Sequence, residues 1–538
     1  MMSNPLPWLF RGGILAATLF AMPFHEARAD SPPSAPPIDN SVSPPEMTGV
    51  PIPPGQIDRA MAQLDALATQ VMAKSGIPGM AIAVVRNGRT VYAKGFGVRR
   101  MGAPDKVDAN TVFLLASLSK PVGATVVAHE VGQHVISWNT PIVQHLPWFA
   151  LDDPWVTQHV TIADMYAHRS GLPDHAGDDI QDLGYDQRQI LQRLRYLPLH
   201  SFRDTYAYTN FGLTAAAEAV AAAAGTDWAS LSEDAIYRPL GMTSTSSRFA
   251  DFAKRPDRAI GHILVNGAYV PKYQPQPDAQ SPAGGVSSSV NDMARWMAMV
   301  MQDGVYDAQP VVDRDALLPA VTGEIVAGHS ASMNARPSLY GYGFNVGTQA
   351  SGRTSIGHSG AFSLGAATNF VIIPSAGIGI ITLTNAPPTG AAEALNAMFM
   401  DLVQFGYVTR DWLHDYGQLM VPLMAPEGTL AGKTPPANPR PAEPLADYAG
   451  TYGNDYFGDA HIVRHGDTLA LQLGPHATEF PLRHWDGDIF VYTPAGESAP
   501  VGSVGAVTFT PGPAGKAASF AIDLYADTGR NRFARRQD

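Results

Sequence analysis

Cysteine is absent from all 538 residues, which excludes disulfides, thiolate metal sites, cysteine nucleophiles and lipid-bearing cysteines together. Charge is scarce as well. Lys, Arg, Asp and Glu make up 16% of the chain and sum to −12, where roughly a quarter is usual. Only eight residues are lysine, so the clustered cations that grip duplex nucleic acid are missing and nucleic acid is not expected as a partner. Long apolar runs are lacking too: beyond residue 29 nothing approaches the roughly 20 apolar residues that span a bilayer. With 45% hydrophobic residues, the chain is still globular, and at roughly 100 to 200 residues per domain its length allows two to four core-bearing units.

The first thirty residues carry a cation at Arg11, an apolar stretch from Gly12 to about Phe24 broken by Pro23, and Ala27-Arg28-Ala29 before Asp30. This pattern predicts a cleaved secretory signal over residues 1–29 and an exported, periplasmic or secreted protein with no membrane anchor after cleavage. Residues 30–55 are proline-rich and read as a tether. Helical periodicity starts at Ile57. The runs MAIAVV and TVYAKGFGV flank Asn87-Gly88, the strongest short hairpin signal. The middle is helix-rich, with ATVVAHEVGQ, TAAAEAVAAAA and NDMARWMAMVM, whereas residues 368–386 read as two strands turning at 374–377. A second proline-rich linker covers 424–444. From 445 to 538 short alternating runs (AHIVR, LALQL, DIFVY, AVTFT, FAIDLYA) predict a small all-β sandwich or barrel.

Among candidate nucleophiles, Ser117 stands out within Phe113-Leu114-Leu115-Ala116-Ser117-Leu118-Ser119-Lys120. A helix beginning near Ser117 puts Lys120 on the same face three residues on. Serine needs an adjacent base, a desolvated lysine sheds its proton readily, and a helix N-terminus offers N–H groups where an oxyanion forms. A lone S-x-x-K also fits a plain helix cap. Its weight comes from further matches in order: Tyr208-Thr209-Asn210, His358-Ser359-Gly360, TIADMYAHRSGLP at 161–173 and SPAGGVSSSVNDMARW at 281–296.

Over roughly residues 56–410 these segments resemble the serine β-lactamase and penicillin-binding-protein superfamily, in the branch of class C β-lactamases, D-aminopeptidases and related esterases. The resemblance implies an α/β catalytic domain over 56–423, an antiparallel sheet flanked by helices with a helical lobe. It implies Ser117 as acylating nucleophile, with Lys120 and Tyr208 as acid/base groups and the choice of acylation base between them open. Backbone N–H groups of Ser117 and Ala361 would form the oxyanion hole. Asn210, His358, Ser359 and Gly360 would contact substrate, without metal or organic cofactor. The C-terminal stretches LADYAGTY, PLRHWDGDIFVY and NRFARR resemble a lipocalin-like β domain appended to some of these hydrolases.

The branch's D-aminopeptidase and esterase members carry H-x-G where potent β-lactamases carry lysine, and a histidine near its ordinary pKa is mostly neutral at pH 7. The expected reaction is therefore amide hydrolysis of small D-amino-acid peptides or cell-wall fragments, ahead of ester hydrolysis and then β-lactam hydrolysis. A non-hydrolytic penicillin- or peptide-binding protein is the reading from another class. A small-molecule or short-peptide substrate is the expected partner, and a homo-oligomer is compatible with it. Two near misses are set aside. His129 and His134 are five apart rather than the four of a zinc helix motif, and His168, Asp174, His175, Asp178 and Asp179 are metal-capable types in one loop whose first member belongs to the H-x-S-G-L turn.

Overall fold

The computed structural model describes residues 43–271, 275–497 and 499–537. Two compact units divide at Glu46 and Met47; of the first only a short turn at Pro44–Glu46 is described. The expected signal peptide lies outside the described residues, as do residues 30–42 of the first proline-rich segment.

The second unit is built on one antiparallel sheet of eight strands. In chain order these are β1 (Gly79–Arg86), β2 (Arg89–Gly97), β3 (Ile325–Gly328), β4 (Ser338–Tyr340), β5 (Asn345–Thr348), β6 (Thr354–Phe362), β7 (Ala366–Ile373) and β8 (Ile378–Thr384). Their order across the sheet is β2-β1-β8-β7-β6-β5-β4-β3. The Asn87-Gly88 turn forms as the sequence predicts, with both residues at positive φ (49° and 73°), the geometry a two-residue hairpin requires. The turn between β7 and β8 runs over Pro374–Ala376 and closes at Gly377.

Both faces of the sheet are covered, which is why β1 is apolar throughout. Its residues alternate between two cores: Met80, Ile82 and Val84 pack with α1 (Leu64–Ser75) and α5 (Ala391–Phe405), while Ala81, Ala83 and Val85 face the helical lobe. Period-two side chains fed into two apolar layers need no polar face. The lobe holds α2 (Ser119–Gly132), α3 (Asn210–Ala224) and α4 (Val290–Met301). α2 is buried on nearly every side from Ser119 to Ala128, as expected of a central helix. α4 starts at a Ser289 cap, whose hydroxyl accepts from the Asp292 amide.

Residues 450–535 form a closed eight-stranded antiparallel barrel, closed by the pairing of Tyr452 with Arg535. The run FAIDLYA keeps strand geometry only to Ile522; Asp523–Thr528 is 3-10 helix. There Asp523 turns from the strand to cap other segments, its carboxylate accepting from the Thr429 and Ala506 amides. The barrel docks on the helical lobe through buried hydrogen bonds: Tyr456 Oη donates to Asp179 Oδ1 at 2.7 Å and accepts from the Gly177 amide at 3.0 Å, and Tyr185 Oη donates to the Phe457 carbonyl at 2.7 Å.

Candidate active site

The sequence before the nucleophile candidate folds into an elbow. The Leu115 amide donates to the Val286 carbonyl at 2.8 Å, and its own carbonyl accepts from Thr368 Oγ1 on β7 at 2.7 Å. Ala116 then takes φ +49°, which is sterically strained for a non-glycine residue and persists only where surroundings enforce it. Ser117 sits in a 3-10 turn, Ala116–Leu118, and α2 begins at Ser119, two residues later than the helix start expected from sequence. The tighter turn eclipses positions three apart, so Lys120 still reaches back over Ser117. Ser119 locks the turn, donating to the Ala116 carbonyl at 2.7 Å and accepting from the Val286 amide at 3.0 Å.

Lys120 is fully buried. Its Nζ lies 3.1 Å from Ser117 Oγ, 2.7 Å from Asn210 Oδ1 and 3.0 Å from the Ala283 carbonyl. Burial drives its pKa down to about 7, against an opposing pull from Asp178. A neutral amine has two hydrogens and one lone pair. The two carbonyl oxygens can only accept, so they take both hydrogens and leave the lone pair facing the serine hydroxyl. The Tyr208 side chain hydrogen-bonds Ser117 as well, and its ring lies 4.5 Å from Nζ. Burial holds that phenol well above its ordinary range, so it stays protonated.

A single loop places Tyr208 and Asn210. His168, itself at positive φ, accepts from the Thr209 amide on Nδ1 at 3.1 Å, and its ring packs 4.5 Å from that of Tyr208. Burial, then Lys120, hold it well below the usual imidazole range. The His175 amide donates to the Tyr208 carbonyl at 2.7 Å. Asn210 Nδ2 donates to Asp178 Oδ2 at 2.8 Å, and that same oxygen accepts from His175 Nδ1 at 2.9 Å. The carboxylates of this loop, set aside as metal ligands, thus anchor the site. Among the described residues no group of three metal-capable side chains converges.

The wall opposite is β6. A Cβ on Gly360 would lie 2.4 Å from the Leu115 carbonyl and 2.9 Å from the Ser117 nitrogen, so this strand approaches the elbow as only glycine allows. The Ala367 carbonyl accepts from Thr384 on the far side. Its partner Ala361 therefore turns N–H and C=O away from β7, past the end of β5 and toward the Ser117 side.

Two expected substrate contacts are corrected by the pleat. Ser359 faces away from the cleft: its hydroxyl accepts from Asn369 Nδ2 at 3.0 Å and bonds the buried Glu393 on α5. Its neighbour His358 does face the cleft but has no free nitrogen. Nδ1 donates to the Ser359 carbonyl at 2.5 Å, and Nε2 accepts from Tyr340 Oη at 2.9 Å. Burial, then the charge of Lys120, push His358 down to about 3, so it is neutral and offers no cation to a carboxylate. Its place is structural, between two strands.

The barrel reaches the rim. Glu497 accepts from the Ser363 and Leu364 amides in the hairpin that follows Ala361, and its own amide donates to Asp182 Oδ1 at 3.1 Å. Asp182 ends the short helix that begins at Asp178. One barrel loop thus touches both walls of the cleft. Sequence reasoning missed this contact, and it also missed Asp178, His175 and the Ala283 carbonyl as parts of the site; only the loop carboxylates gave any signal.

An elbow serine with a buried lysine, a phenol and an asparagine around it, all against an antiparallel strand, defines the class of serine acyl-transfer hydrolases with an S-x-x-K and Y-x-N pair. The chain belongs to the β-lactamase family, whose profile matches residues 64–405. Residues 434–535 match a domain of unknown function, DUF3471. The chain is 26% identical over 426 residues to the unguisins hydrolase ungD' of Aspergillus campestris, covering 73% of this chain and 76% of that one. It is 24% identical over 350 residues to the D-alanyl-D-alanine-carboxypeptidase/endopeptidase AmpH of Escherichia coli K12, covering 63% of this chain and 88% of that one. In fold it resembles the octameric penicillin-binding protein homologue from Pyrococcus abyssi, with TM-score 0.57 and 19% identity over 88% of this chain and 100% of that one. The protein is accordingly a hydrolase of the serine β-lactamase and penicillin-binding-protein family, with a C-terminal β barrel.

Proposed function

We propose that the protein is an exported hydrolase that cleaves amide bonds of small D-amino-acid peptides or related cell-wall fragments through an ester on Ser117. The observation that carries this reading is the coordination of Lys120: buried, with its pKa lowered to about 7, and in its neutral form with its lone pair left to Ser117. In the proposed cycle Lys120 Nζ takes the Ser117 proton as Oγ bonds the substrate carbonyl carbon. The negative charge moves to the carbonyl oxygen, between the Ser117 and Ala361 amides. Such donors contribute roughly 3 to 4 kcal/mol each. Collapse expels the amine, which takes the proton from Lys120 by way of the Tyr208 hydroxyl. Water then attacks the ester, giving up a proton by the reverse route, and Oγ regains its hydrogen. Tyr208 acts throughout as a protonated relay, because burial disfavours its phenolate.

The peptide preference is supported by the relative named as a D-alanyl-D-alanine-carboxypeptidase/endopeptidase and by the neutral, fully engaged His358. Without a cation there the carboxylate of a β-lactam loses its electrostatic hold, so amide hydrolysis is ranked first, ester hydrolysis second and β-lactam hydrolysis third. Turnover of a D-alanyl anilide, a nitrophenyl ester and a chromogenic cephalosporin tests the order, with intact mass reading the acyl fragment on Ser117. Efficient cleavage of the cephalosporin alone would reverse it. Export is checked by N-terminal sequencing of the mature protein, expected to begin at Asp30.

A further inference from the structure

We propose that Asp178, held by His175, is a positioning residue that locks the Asn210 amide with its oxygen toward Lys120 and so reserves the lysine's lone pair for Ser117. The proposal rests on Ser117 being the nucleophile. A carboxamide has two faces, one accepting and one donating. If Asn210 turned over, its NH2 would meet Lys120 and compete with the serine hydroxyl for the one lone pair. An ionised carboxylate only accepts, so at 2.8 Å Asp178 Oδ2 admits the Nδ2 end of Asn210 alone.

The lock is itself held. His175 Nδ1 lies 2.9 Å from the same oxygen, and the His175 backbone, at φ +57°, ties the loop to the Tyr208 carbonyl at 2.7 Å. One short segment thereby sets the amide that faces Lys120 and the phenol that faces Ser117. Asp178 is mostly buried, with 16% of its side chain exposed, and its other oxygen, Oδ1, has no hydrogen-bond partner among the described residues.

The arrangement also couples charge to chemistry. Asp178 is faced by Lys120 from α2, by Tyr208 and Asn210 from the start of α3, by Asp179 beside it and by Tyr456 from the barrel. His175 is faced by Asp174, Asp178, His168, Lys120 and Glu427. The charge of Asp178 favours the protonated form of Lys120. Removing that carboxylate therefore lowers the pH at which the amine becomes free, and it also releases the amide. A residue with a purely structural role would slow the reaction without moving the pH midpoint.

The test is the rate at which a fluorophosphonate probe modifies Ser117, followed by intact mass from pH 5 to 9. In this reaction the Oγ–P bond forms, fluoride leaves and the serine proton passes to Lys120. Asp178→Asn is expected to slow labelling by about 10- to 100-fold, the range for losing a hydrogen bond to a charged group, and to move the midpoint to lower pH. Asp178→Glu should recover part of the rate, and His175→Gln should show a smaller loss with the midpoint moved to higher pH, because it removes a cation that disfavours protonated Lys120 and offsets Asp178. Wild-type rate and midpoint in Asp178→Asn would overturn the lock. So would an unshifted midpoint in Asp178→Asn or, should that variant fail to fold, in His175→Gln. If wild type takes no label at Ser117 the nucleophile assignment falls and the lock falls with it, an outcome distinct from a labelled wild type with an indifferent Asp178→Asn.

Discussion

Gly360→Ala isolates the contribution of backbone placement, because it adds one methyl group and alters no functional side chain. The new Cβ would stand 2.4 Å from the Leu115 carbonyl, 2.5 Å from Thr368 Oγ1 and 2.9 Å from the Ser117 nitrogen, where ordinary contact begins at 3.4 Å. Relieving the first clash requires β6 and the elbow to part by about 1 Å. Two of the three atoms are backbone and the third is a hydroxyl already bonded to Leu115, so no flexible side chain can absorb the motion. A misplacement of about 1 Å at reacting groups costs on the order of 100-fold in rate, comparable to losing one oxyanion donor. Overpacking of this kind costs roughly 1 to 3 kcal/mol of stability as well.

The assay pairs the labelling rate of Ser117 with the Tm, and Gly347→Ala on β5 is the control. Among the described residues a Cβ there meets only Ser355 Oγ, at 3.6 Å, so neither rate nor Tm should change. Gly360→Ala should fold with a lowered Tm and label about 100-fold more slowly. Labelling within a few-fold of wild type would refute the claim that this strand's approach sets the oxyanion geometry.

Three further outcomes follow from the same site. Acylation should rise as pH increases through about 7, where Lys120 loses its proton; Lys120→Arg, which cannot deprotonate, should lose about 100-fold or more, and a pH-independent wild-type rate would count against Lys120 as base. Tyr208→Phe should keep KM near wild type and cut kcat by about 100-fold or more, read from initial rates on the D-alanyl anilide. Burial raises the Glu497 pKa to about 8, so the folded state holds a proton that the unfolded chain releases near 4.5. Its contribution to stability is then full below about 4.5 and declines as pH rises toward 8. Glu497→Gln, whose NH2 cannot replace one of the two accepting oxygens, should accordingly show a Tm difference from wild type that moves in the variant's favour between pH 5 and pH 8, as measured by thermal melts at the two pH values.

How much of this was legible in the sequence depends on how far each contact travels along the chain. The hairpin at Asn87-Gly88, the helices around Val126, Ala217 and Trp296, and the strands about Pro374 are local patterns, and they formed where their periodicity put them. Ser117 and Lys120 are three residues apart, and Tyr208 and Asn210 were legible through the motif they spell. Side-chain direction on β6 was not. Whether residue 358 or 359 looks into the cleft depends on parity, and one step of register exchanges the faces; the sequence marks both alike, but the structure gives His358 to the cleft and Ser359 to α5. Nor does composition reveal what a carboxylate is for. Asp178 and His175 read only as metal-capable types, and nothing in the sequence pairs Asp178 with Asn210.

The same reasoning explains why the barrel's contribution was invisible. Glu497 reads as one acid in a loop of Gly, Ala and Ser. Its meaning depends on the Ser363 and Leu364 amides, more than a hundred residues earlier, and on the Asp182 carboxylate that meets its own amide. A carboxyl that bonds the hairpin beyond the oxyanion strand, on a loop tied to the helix carrying Asp178, couples the two walls to each other. Movement of the barrel would therefore reach Ala361 and Asn210 together, and substrate access and acylation chemistry would change in step.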